Sequence, residues 1–431
     1  MPRSLADWLD YIGRQHPVAI DMGLARVGEV ARRMALARPA RHLISVAGTN
    51  GKGSTVAFIE AIATAANLRV GTYTSPHLLR YNERVRIGGR EASDTELVEA
   101  FSAVEAARTE PSAGTIALTY FEFGTLAALW LLQRADLDLA VLEVGLGGRL
   151  DAVNLVDADV AVITTVDIDH VEWLGPDRES IGAEKAGIAR AWKPLVLGEV
   201  DSPASVLRHA YAIGANAIRL GSDFFHESVD GPASDGRWRW REPGFEMELP
   251  APSLAATVQR ANAATAIAAL RALPIEIQSD AWAAGVAAAY LPGRLQQLDM
   301  DGVPVLLDVG HNPQAARELC RFLGKHPVQG QTLAILAALA DKDAAELVQA
   351  LSAAVSRWFL AGLSIGGSRD QAVEMLAARL AHTPAADAER HVTVVQALQA
   401  ARARARPQDR ILVFGSFHTV AAALVLLHSG H

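Results

Sequence analysis

Short apolar runs alternate with amphipathic segments along most of the chain. Residues 42–48 (HLISVAG) form an apolar run that ends in glycine, and residues 54–66 (STVAFIEAIATAA) have the spacing of a helix. Residues 137–145 (LDLAVLEVG) and 159–169 (DVAVITTVDID) are continuous apolar stretches, which is typical of strands buried on both faces of a parallel sheet. The pattern predicts an α/β fold with a doubly wound parallel sheet.

Four further segments complete this part of the prediction. Helical spacing predicts helices over residues 119–134, 179–192 and 258–273. Residues 222–250 contain WRWREPGFEMEL, in which aromatic alternation and a turn predict a small antiparallel hairpin.

A second strand-and-helix series begins after Pro292 and Gly293, which interrupt the helical pattern. We therefore place a domain boundary here and predict domains over residues 1–293 and 294–431. The second domain is expected to be a smaller, Rossmann-like α/β unit. Its predicted strands lie near residues 303–309, 332–337, 357–361, 391–395 and 410–415.

Composition narrows the class of protein. The chain has 431 residues, 50% hydrophobic, and a formal net charge of -8, which argues against a nucleic-acid partner. With Cys320 as its one cysteine it forms no intrachain disulfide and no cysteine-based zinc site.

The start of the sequence lacks a signal-peptide pattern, and the apolar run 411–427 is interrupted by polar residues, so we expect a cytoplasmic protein without a membrane partner. A monomer is the simplest expectation.

Residues 48–55, GTNGKGST, differ from the common phosphate-binding loop G-x-x-x-x-G-K-[ST] in two places. Val46 stands where the first glycine would be, and Gly53 is inserted after Lys52. The context is still that of a phosphate site, because an apolar strand precedes the loop and a helix follows it. Lys52 is expected to reach the outer phosphates, and Ser54 or Thr55 offers a hydroxyl to phosphate or magnesium.

Three polar residues at or just past the ends of predicted strands form a candidate metal site. They are Ser75, Glu143 and His170. Because ligands of open α/β sheets bind outside the carboxyl ends of the strands, we expect these side chains to converge near the phosphate loop. A carboxylate, a hydroxyl and phosphate oxygens suit magnesium, whereas a histidine is a less usual ligand for it. Taken alone, Ser75 also fits a helix cap, and His170 fits a turn residue.

Two other segments carry charged residues of interest. Lys185 lies in an apolar helical context (IGAEKAGI), where it is either buried with a lowered pKa or, as the sequence alone favours, a surface lysine. Residues 308–313, DVGHNP, place Asp308 and His311 after the first long strand of the second domain, with helix capping as the alternative role for Asp308. Leu150 interrupts a G-x-G-x-x-G dinucleotide pattern, so residues 145–154 are expected to form a flexible loop beside the site.

Taken together, the sequence resembles the folylpolyglutamate synthase and dihydrofolate synthase family of the Mur ligase superfamily. The segments that carry the resemblance occur in the family's order: GTNGKGST, TSPHLLRYNERVRI, LTYFEF, LEVGLGGRLDAVN, ITTVDIDHVEWLG, IGAEKAGI, NAATAIAAL, PGRLQ, LDVGHNP and VFGSF. The resemblance implies a P-loop ATPase-like domain followed by a Rossmann-like glutamate-ligase domain, with the active site in the cleft between them. It implies an ATP-dependent ligase that adds L-glutamate to a folate or dihydropteroate carboxylate through an acyl phosphate.

The resemblance also implies roles for individual residues. Expected ATP contacts are Asn50, Gly51, Lys52, Gly53, Ser54, Asn262, Arg294 and Asp308. Expected magnesium ligands are Ser54, Ser75, Glu143 and His170, with two ions expected, and Lys185 matches a lysine that is carbamylated in the family. The expected pterin and folate region comprises Gly23, Leu24, Thr119, Tyr120, Phe121, Glu122, Leu150, Asp151 and Ala152. His311 and Ser416 are expected to hold glutamate, Arg294 is expected to stabilise the transferred phosphoryl group, and a monovalent cation is a further candidate.

Three alternatives remain open at this point. One is an enzyme that only extends folates; the segments DMGL (residues 21–24), LTYFEF and GRLDAVN favour a bifunctional enzyme instead. The second is a Mur ligase acting on a UDP-MurNAc substrate, although only 47 residues precede Gly48, fewer than a further substrate domain needs. The third is a P-loop nucleotide switch, which would not need the DVGHNP segment.

Overall fold

The computed structural model describes residues 4–18, 20–229, 236–364, 366 and 369–429. The chain divides into two compact units. The first comprises Met1–Ser253 and Gln259–Tyr290, and the second Leu254–Val258 and Leu291–His431. The predicted boundary after residue 293 lies close to this junction, and we keep it as our proposal for the limit of the functional domains.

A mixed, mostly parallel sheet forms the centre of the first unit. Its strands run in the order β4-β3-β2-β5-β1-β6-β7-β8, and only β3 and β4 are antiparallel to their neighbours among the described residues. The strands are β1 (Ala40–Ala47), β2 (Val70–Tyr73), β3 (Val85–Ile87), β4 (Arg90–Glu91), β5 (Leu137–Glu143), β6 (Val160–Ile163), β7 (Pro194–Leu197) and β8 (Asn216–Arg219). The central strands are buried, as their unbroken apolar runs predict.

Helices flank this sheet. They are α1 (Leu5–Ile12), α2 (Ala25–Arg33), α3 (Lys52–Ala65), α4 (Asp94–Arg108), α5 (Tyr120–Gln133), α6 (Val171–Leu174), α7 (Arg178–Ala186), α8 (Ala204–Ile213), α9 (Gln259–Arg271) and α10 (Ser279–Ala288). Short 3-10 helices lie at Tyr81–Arg84 and Ala152–Leu155. Capping boxes begin α4 (Ser93 with Glu96) and α5 (Thr119 with Glu122), because each hydroxyl and carboxylate pair satisfies backbone N–H groups of the first turn.

The predicted hairpin is confirmed and extended by one strand. Strands β9 (Phe225–Ser228), β10 (Trp238–Glu242) and β11 (Phe245–Leu249) form a small antiparallel sheet. Trp238 and Trp240 of β10 are fully buried, and each donates its indole N–H to a backbone carbonyl. Because both indole N–H groups have partners, the two tryptophans can be buried beneath this small sheet.

The second unit has its own sheet, in the order β12-β13-β17-β14-β15-β16. These strands are β12 (Gln296–Met300), β13 (Val303–Asp308), β14 (Thr332–Leu336), β15 (Arg357–Ala361), β16 (Glu389–His391) and β17 (Arg410–Phe414). The helices are α11 (Pro313–Lys325), α12 (Ala344–Leu351), α13 (Val373–Arg379), α14 (Val394–Arg404) and α15 (Phe417–Ser429). All described strand pairs except β12–β13 are parallel, in keeping with the predicted Rossmann-like layout.

Three predicted element boundaries are wrong. Strand β6 ends at Ile163, not near residue 169, and helix α7 ends at Ala186, not near residue 192. The strand predicted at residues 391–395 lies at Glu389–His391, since Thr393 already caps helix α14 through its side chain. Within the described part of the chain, no helix is long and apolar enough to cross a membrane.

Candidate active site

The carboxyl ends of four neighbouring parallel strands lie side by side in the first unit. Three pairs of Cα partners fix the register: Tyr73 with Leu142, Val46 with Glu143, and Ala47 with Ile163. The phosphate loop, Ser75, Glu143 and the segment that leads to His170 therefore all emerge at the same edge of the sheet. This arrangement agrees with the predicted convergence of strand ends.

The phosphate loop is a tight turn that leads into helix α3. Gly51 is its N-terminal cap residue and has a left-handed backbone (φ +86°), a conformation that favours glycine. The Lys52 ammonium folds back and donates to the carbonyl oxygens of Gly48 (3.0 Å) and Thr49 (3.4 Å). Ser54 is buried in the first turn of the helix. The free N–H groups at this helix start and the Lys52 charge make the loop suited to an anion.

Helix α9 brings Asn262 against the phosphate loop. A β-carbon on Gly51 would lie 2.6 Å from Oδ1 of Asn262, so only a glycine fits there. The Asn262 amide is oriented by donating to Oε1 of Gln259 at 2.9 Å. The structure thus brings together two residues, Gly51 and Asn262, that are far apart in sequence and that the resemblance assigns to ATP binding.

Threonines that the sequence reasoning missed tie the phosphate loop to the segment after β6. The Thr49 hydroxyl donates to the Asp167 carbonyl (3.0 Å) and accepts from the Asp167 N–H (3.1 Å). The Thr164 hydroxyl donates to the Asn50 carbonyl (2.6 Å), and the Thr165 hydroxyl accepts from the Asn50 N–H (3.2 Å). These bonds fix the chain after β6 against the phosphate loop, and the TT pair in TTVDIDH was the available signal.

Glu143 and Ser75 occupy adjacent positions at the sheet edge. The Glu143 side chain is buried (4% exposed), and its Oε2 accepts a hydrogen bond from the Ser75 N–H at 3.1 Å. The chain after Ser75 continues in turns up to the 3-10 helix at Tyr81–Arg84, so Ser75 does not cap a helix. A buried carboxylate next to a serine gives a hard oxygen donor set, which fits magnesium.

His170 lies at a sharp bend of the chain. Its backbone is left-handed (φ +52°), and it immediately precedes the short helix α6. The bend leaves the imidazole about one-third exposed, with Nε2 3.9 Å from Oδ1 of Asp169. Among the described residues, no three His, Cys, Asp or Glu side chains are arranged to hold a metal ion by themselves. The predicted set has two such residues, Glu143 and His170, and depends on hydroxyl and phosphate oxygens for the rest.

Lys185 is buried, not a surface lysine as the sequence alone favoured. Its side chain on α7 is 3% exposed. Burial lowers the pKa of Lys185 to about 7, with a smaller contribution from the positive charge of Lys52, while Asp169, Asp151 and Glu199 act in the opposite direction. The lysine amine is therefore partly neutral near pH 7 and lies within electrostatic reach of the phosphate-loop lysine.

Asp151, predicted to contact substrate, holds the glycine-rich loop together. Its two carboxylate oxygens accept from the N–H groups of Leu146 and Val153, each at 2.9 Å. Burial raises the pKa of Asp151 to about 6, against the effect of these hydrogen bonds and the Lys52 charge. Its neighbours Leu150 and Ala152 are half-buried and buried, respectively.

Two of the three segments that the resemblance assigns to the pterin region meet through Arg26. The Glu122 carboxylate accepts from the N–H and the hydroxyl of Thr119, which closes the capping box of α5, and from Nε of Arg26 at 3.1 Å. Arg26 also pairs with Asp21 at 2.6 Å. The structure therefore places the 21–24 segment, with Gly23 and Leu24, beside the start of α5.

Aromatic residues line the same region. Phe121 packs on Gly145, where a β-carbon would lie 2.5 Å from the ring. Tyr120 is partly covered by the guanidinium of Arg84, 5.7 Å from the ring centre, and burial raises the tyrosine's pKa. Arg84 is itself buried and donates to Nδ1 of His77 at 2.8 Å. Sequence reasoning missed Arg84, although its segment, RYNERVRI, carries the resemblance.

The predicted residues of the second unit cluster at the carboxyl ends of β13 and β17. Asp308 pairs in register with Phe414, and its carboxylate accepts from the N–H groups of Leu295 (3.0 Å) and Gly310 (2.7 Å). The cap of helix α11 is Asn312, so the capping alternative for Asp308 is wrong. Burial raises the pKa of Asp308, and the charge of Arg294 opposes this shift.

Three other predicted residues lie at the same strand ends. The Arg294 guanidinium lies 5.6 Å from the ring centre of Phe417, and the His311 ring is 6.3 Å from the same ring. Ser416, at the start of α15, is buried and shares a 2.6 Å hydrogen bond with the Thr419 hydroxyl. Within this unit the structure therefore brings together the four residues predicted to bind ATP or glutamate.

Comparison with known protein families identifies the class of protein to which this chain belongs. Residues 46–269 match the Mur ligase middle domain, and residues 293–417 match the glutamate ligase domain of Mur ligases. The chain is thus a Mur-type ligase with the predicted α/β fold, and the nucleotide-switch alternative does not explain the second match.

Similarity over the full length identifies the family. The chain is 44% identical over 424 residues to the dihydrofolate synthase/folylpolyglutamate synthase of Escherichia coli, covering 98% of this chain and 95% of that protein. The E. coli FolC structure in complex with DHPP and ADP has a TM-score of 0.91 at 43% identity, with complete coverage of both chains. A bifunctional folylpolyglutamate synthase/dihydrofolate synthase with Mn, AMPPNP and L-glutamate bound has a TM-score of 0.89 at 44% identity, covering 99% and 98%. The chain belongs to the dihydrofolate synthase/folylpolyglutamate synthase family of ATP-dependent ligases.

Proposed function

We propose that this chain joins L-glutamate to 7,8-dihydropteroate, giving dihydrofolate, and to the γ-carboxylate of tetrahydrofolate. In the first step a carboxylate oxygen attacks the γ-phosphorus of ATP, ADP leaves, and an acyl phosphate forms. The α-amine of glutamate then attacks the acyl carbon, loses a proton, and inorganic phosphate leaves as the amide bond forms. Both carboxylates enter the same chemistry, so one phosphate site serves two acceptors.

The observation that carries the proposal is the hydrogen-bonded junction between the phosphate loop and the segment leading to His170, next to the strand that ends in Glu143. Phosphoryl transfer depends mainly on positioning the phosphates and on neutralising their charge. This junction holds the phosphate loop and the proposed metal ligands Glu143 and His170 at one edge of the sheet. Lys52 supplies a positive charge within the loop itself. The nucleotide-bound relatives support ATP as the phosphoryl donor.

The residues present fit a divalent cation. Glu143, the hydroxyls of Ser54 and Ser75, and the His170 imidazole would hold magnesium, with phosphate oxygens completing the set. When bound, magnesium neutralises the charge that develops on the transferred phosphoryl group. The relative with Mn and AMPPNP bound supports a divalent cation at this kind of site.

Lys185 is proposed to act as a carbamate. Only a neutral amine reacts with carbon dioxide, and the buried Lys185 has a pKa of about 7, so it offers that form near neutral pH. The carbamate is an anion, which removes the cost of a buried ammonium beside Lys52 and provides oxygen ligands for a second magnesium.

The remaining roles rest on position within each unit. We propose that Asn262 and Asp308 contact ATP, that Arg294 stabilises the transferred phosphoryl group, and that His311 and Ser416 hold glutamate. The pterin end of the substrate is assigned to the region that Arg26 joins, where Glu122, Phe121 and the 21–24 segment meet. The cytoplasmic location and the monomeric state remain predictions.

A ligation assay with labelled glutamate and ATP tests the proposal. Dihydropteroate and tetrahydrofolate are compared as acceptors, and ADP is measured in the same reactions. Incorporation into both acceptors is expected, each dependent on ATP and magnesium. Incorporation into tetrahydrofolate alone would reduce the function to folate extension. No incorporation into either acceptor, with active incorporation into a UDP-MurNAc substrate, would overturn the assignment.

A further inference from the structure

The backbone N–H and carbonyl of Val166 are both hydrogen-bonded to the two members of an ion pair, Glu199 and Arg178. Oε1 of Glu199 accepts from the Val166 N–H at 3.0 Å, and Nε of Arg178 donates to the Val166 carbonyl at 2.8 Å. Nη2 of Arg178 closes the arrangement on Oε2 of Glu199 at 3.3 Å. We call Arg178 and Glu199 the Val166 clamp. One residue of the loop after β6 thus has both backbone groups fixed by charged side chains.

The clamp acts on the segment that supports the phosphate loop. Val166 lies between Thr165, whose carbonyl accepts from the Thr49 N–H at 2.7 Å, and Asp167, which bonds the Thr49 hydroxyl in both directions. His170 follows four residues after Val166 on the same segment. A displacement of Val166 would therefore move the supports of the phosphate loop and the His170 bend together.

The clamp residues come from two other elements of the site. Arg178 is the first residue of α7, the helix that carries Lys185, and Glu199 follows strand β7. Arg178 is further fixed by donating to the Asp201 carbonyl at 2.6 Å and by pairing with the Asp201 carboxylate at 3.2 Å. The clamp therefore joins the Lys185 helix to the segment that leads to His170.

The Glu199 carboxylate is largely shielded from water, with 15% of its side chain exposed. Such burial disfavours the charged form and raises the pKa of this carboxyl to about 7, while Arg178 opposes the shift. An ion pair between a shielded carboxylate and a partly exposed guanidinium adds little net stability. Because stability alone does not account for the Arg178–Glu199 pair, we interpret its role as fixing the position of the Val166 backbone.

We propose that Arg178 and Glu199 are positioning residues that hold the segment 164–170 where it supports the phosphate loop and presents His170 to the divalent cation bound with the nucleotide. The inference rests on the proposed nucleotide and metal site but not on the identity of the acceptor. Neither residue touches substrate; each acts through the backbone of Val166.

The test measures ADP binding by titration calorimetry with and without Mg²⁺. The ratio of the two affinities reports how well the protein couples the cation to the nucleotide. The variants are Arg178→Gln and Glu199→Ala, with Arg178→Lys and Glu199→Gln as the conservative changes. The matched control is Arg241→Gln, which removes an exposed ion pair with Glu227 (2.7 Å) on the small sheet of the same unit.

In both clamp variants the Mg²⁺-dependent gain in ADP affinity is expected to fall about tenfold, the size typical of losing a partner that orients a metal ligand. The affinity without Mg²⁺ should fall by less than this, because Lys52 and the helix start remain even where the supports of the loop shift. Arg178→Lys and Glu199→Gln should recover part of the gain, and the control should match the wild type.

An unchanged Mg²⁺-dependent gain in both clamp variants would overturn the proposal, as would an equal loss of affinity with and without the cation. If Arg178→Gln does not fold, Glu199→Ala decides, since it removes the acceptor for the Val166 N–H and leaves the Arg178 bond to the Val166 carbonyl in place. Failure of both variants to fold would show a purely structural role. A wild type that binds Mg²⁺ and ADP but ligates no glutamate would sink the proposed function and leave this inference standing.

Discussion

The amide oxygen of Asn262 occupies the space that a β-carbon on Gly51 would need, since the two would lie only 2.6 Å apart. The same glycine has a left-handed backbone, with φ +86°. Gly51 is therefore required twice, once for its own conformation and once for the close approach of helix α9.

Replacing Gly51 with alanine should cost about 1–2 kcal/mol of stability through backbone strain. It should also displace Asn262 or the loop, and ATP-dependent ligation should fall about 100-fold through misplaced phosphates. Calorimetric ADP titration and thermal unfolding measure the two effects separately. Gly244→Ala is the matched control, because Gly244 has a similar φ of +80° and no atom within 4 Å of the added carbon. Equal nucleotide affinity in the two variants would contradict the role of the contact.

Replacing Lys185 with methionine should stabilise the protein while abolishing ligation. The lysine pKa falls from 10.5 in the unfolded chain to about 7 on folding, so the unfolded state binds more protons between these values. The destabilising effect is complete below pH 7 and diminishes as pH rises toward 10.5. In CO₂-free buffer Lys185→Met should gain about 1–4 kcal/mol near pH 6, and less at pH 9.

Chemical unfolding at the two pH values and the ligation assay test this prediction. Ligation should fall by about 100-fold or more if the carbamate takes part in holding the metal. A variant that is less stable than the wild type at pH 6, or that keeps its ligase activity, would contradict the account of Lys185.

Glu122 combines a capping role with a predicted substrate role, and the two can be separated. Glu122→Ala removes the capping box of α5 and leaves Arg26 without this partner, which should cost about 1–3 kcal/mol. If the region binds the pterin ring, the KM for dihydropteroate should also rise about tenfold. Glu96→Ala removes the equivalent capping box of α4, where Ser93 donates to Glu96 at 2.7 Å. Equal changes in KM for the two variants would assign Glu122 a structural role only.

Arg294→Ala tests the proposed charge stabilisation by the second unit. Loss of the guanidinium should lower kcat about 100-fold at saturating ATP, because it acts on charge that develops during phosphoryl transfer. Arg357→Ala is the control, since Arg357 also lies over a ring, that of Phe359 at 6.0 Å, and pairs with Glu389 at 3.1 Å in the same unit. An intact ligation rate in Arg294→Ala would rule out this role.

In the first unit, patterns in the sequence anticipated the central strands β1, β5 and β6 and the helices α3, α5, α7 and α9, but not where some of them end. Strand β6 illustrates the limit. Its strand-like pattern continues in the sequence beyond Ile163, yet the strand stops there, and the hydroxyls of Thr164 and Thr165 bond the phosphate loop at Asn50. Such hydrogen bonds join residues more than a hundred positions apart, which local periodicity does not record.

The sequence by itself determined the class of fold, the phosphate loop and the family, because these depend on periodicity and on ordered local motifs. Only the tertiary structure decided that Lys185 is buried beside the charge of Lys52, that Asn262 fills the space at Gly51, and that Arg178 and Glu199 hold Val166. The physical reason is common to all three. Burial, close approach and ion pairing are set by side chains that distant segments bring together, and their energies depend on that environment.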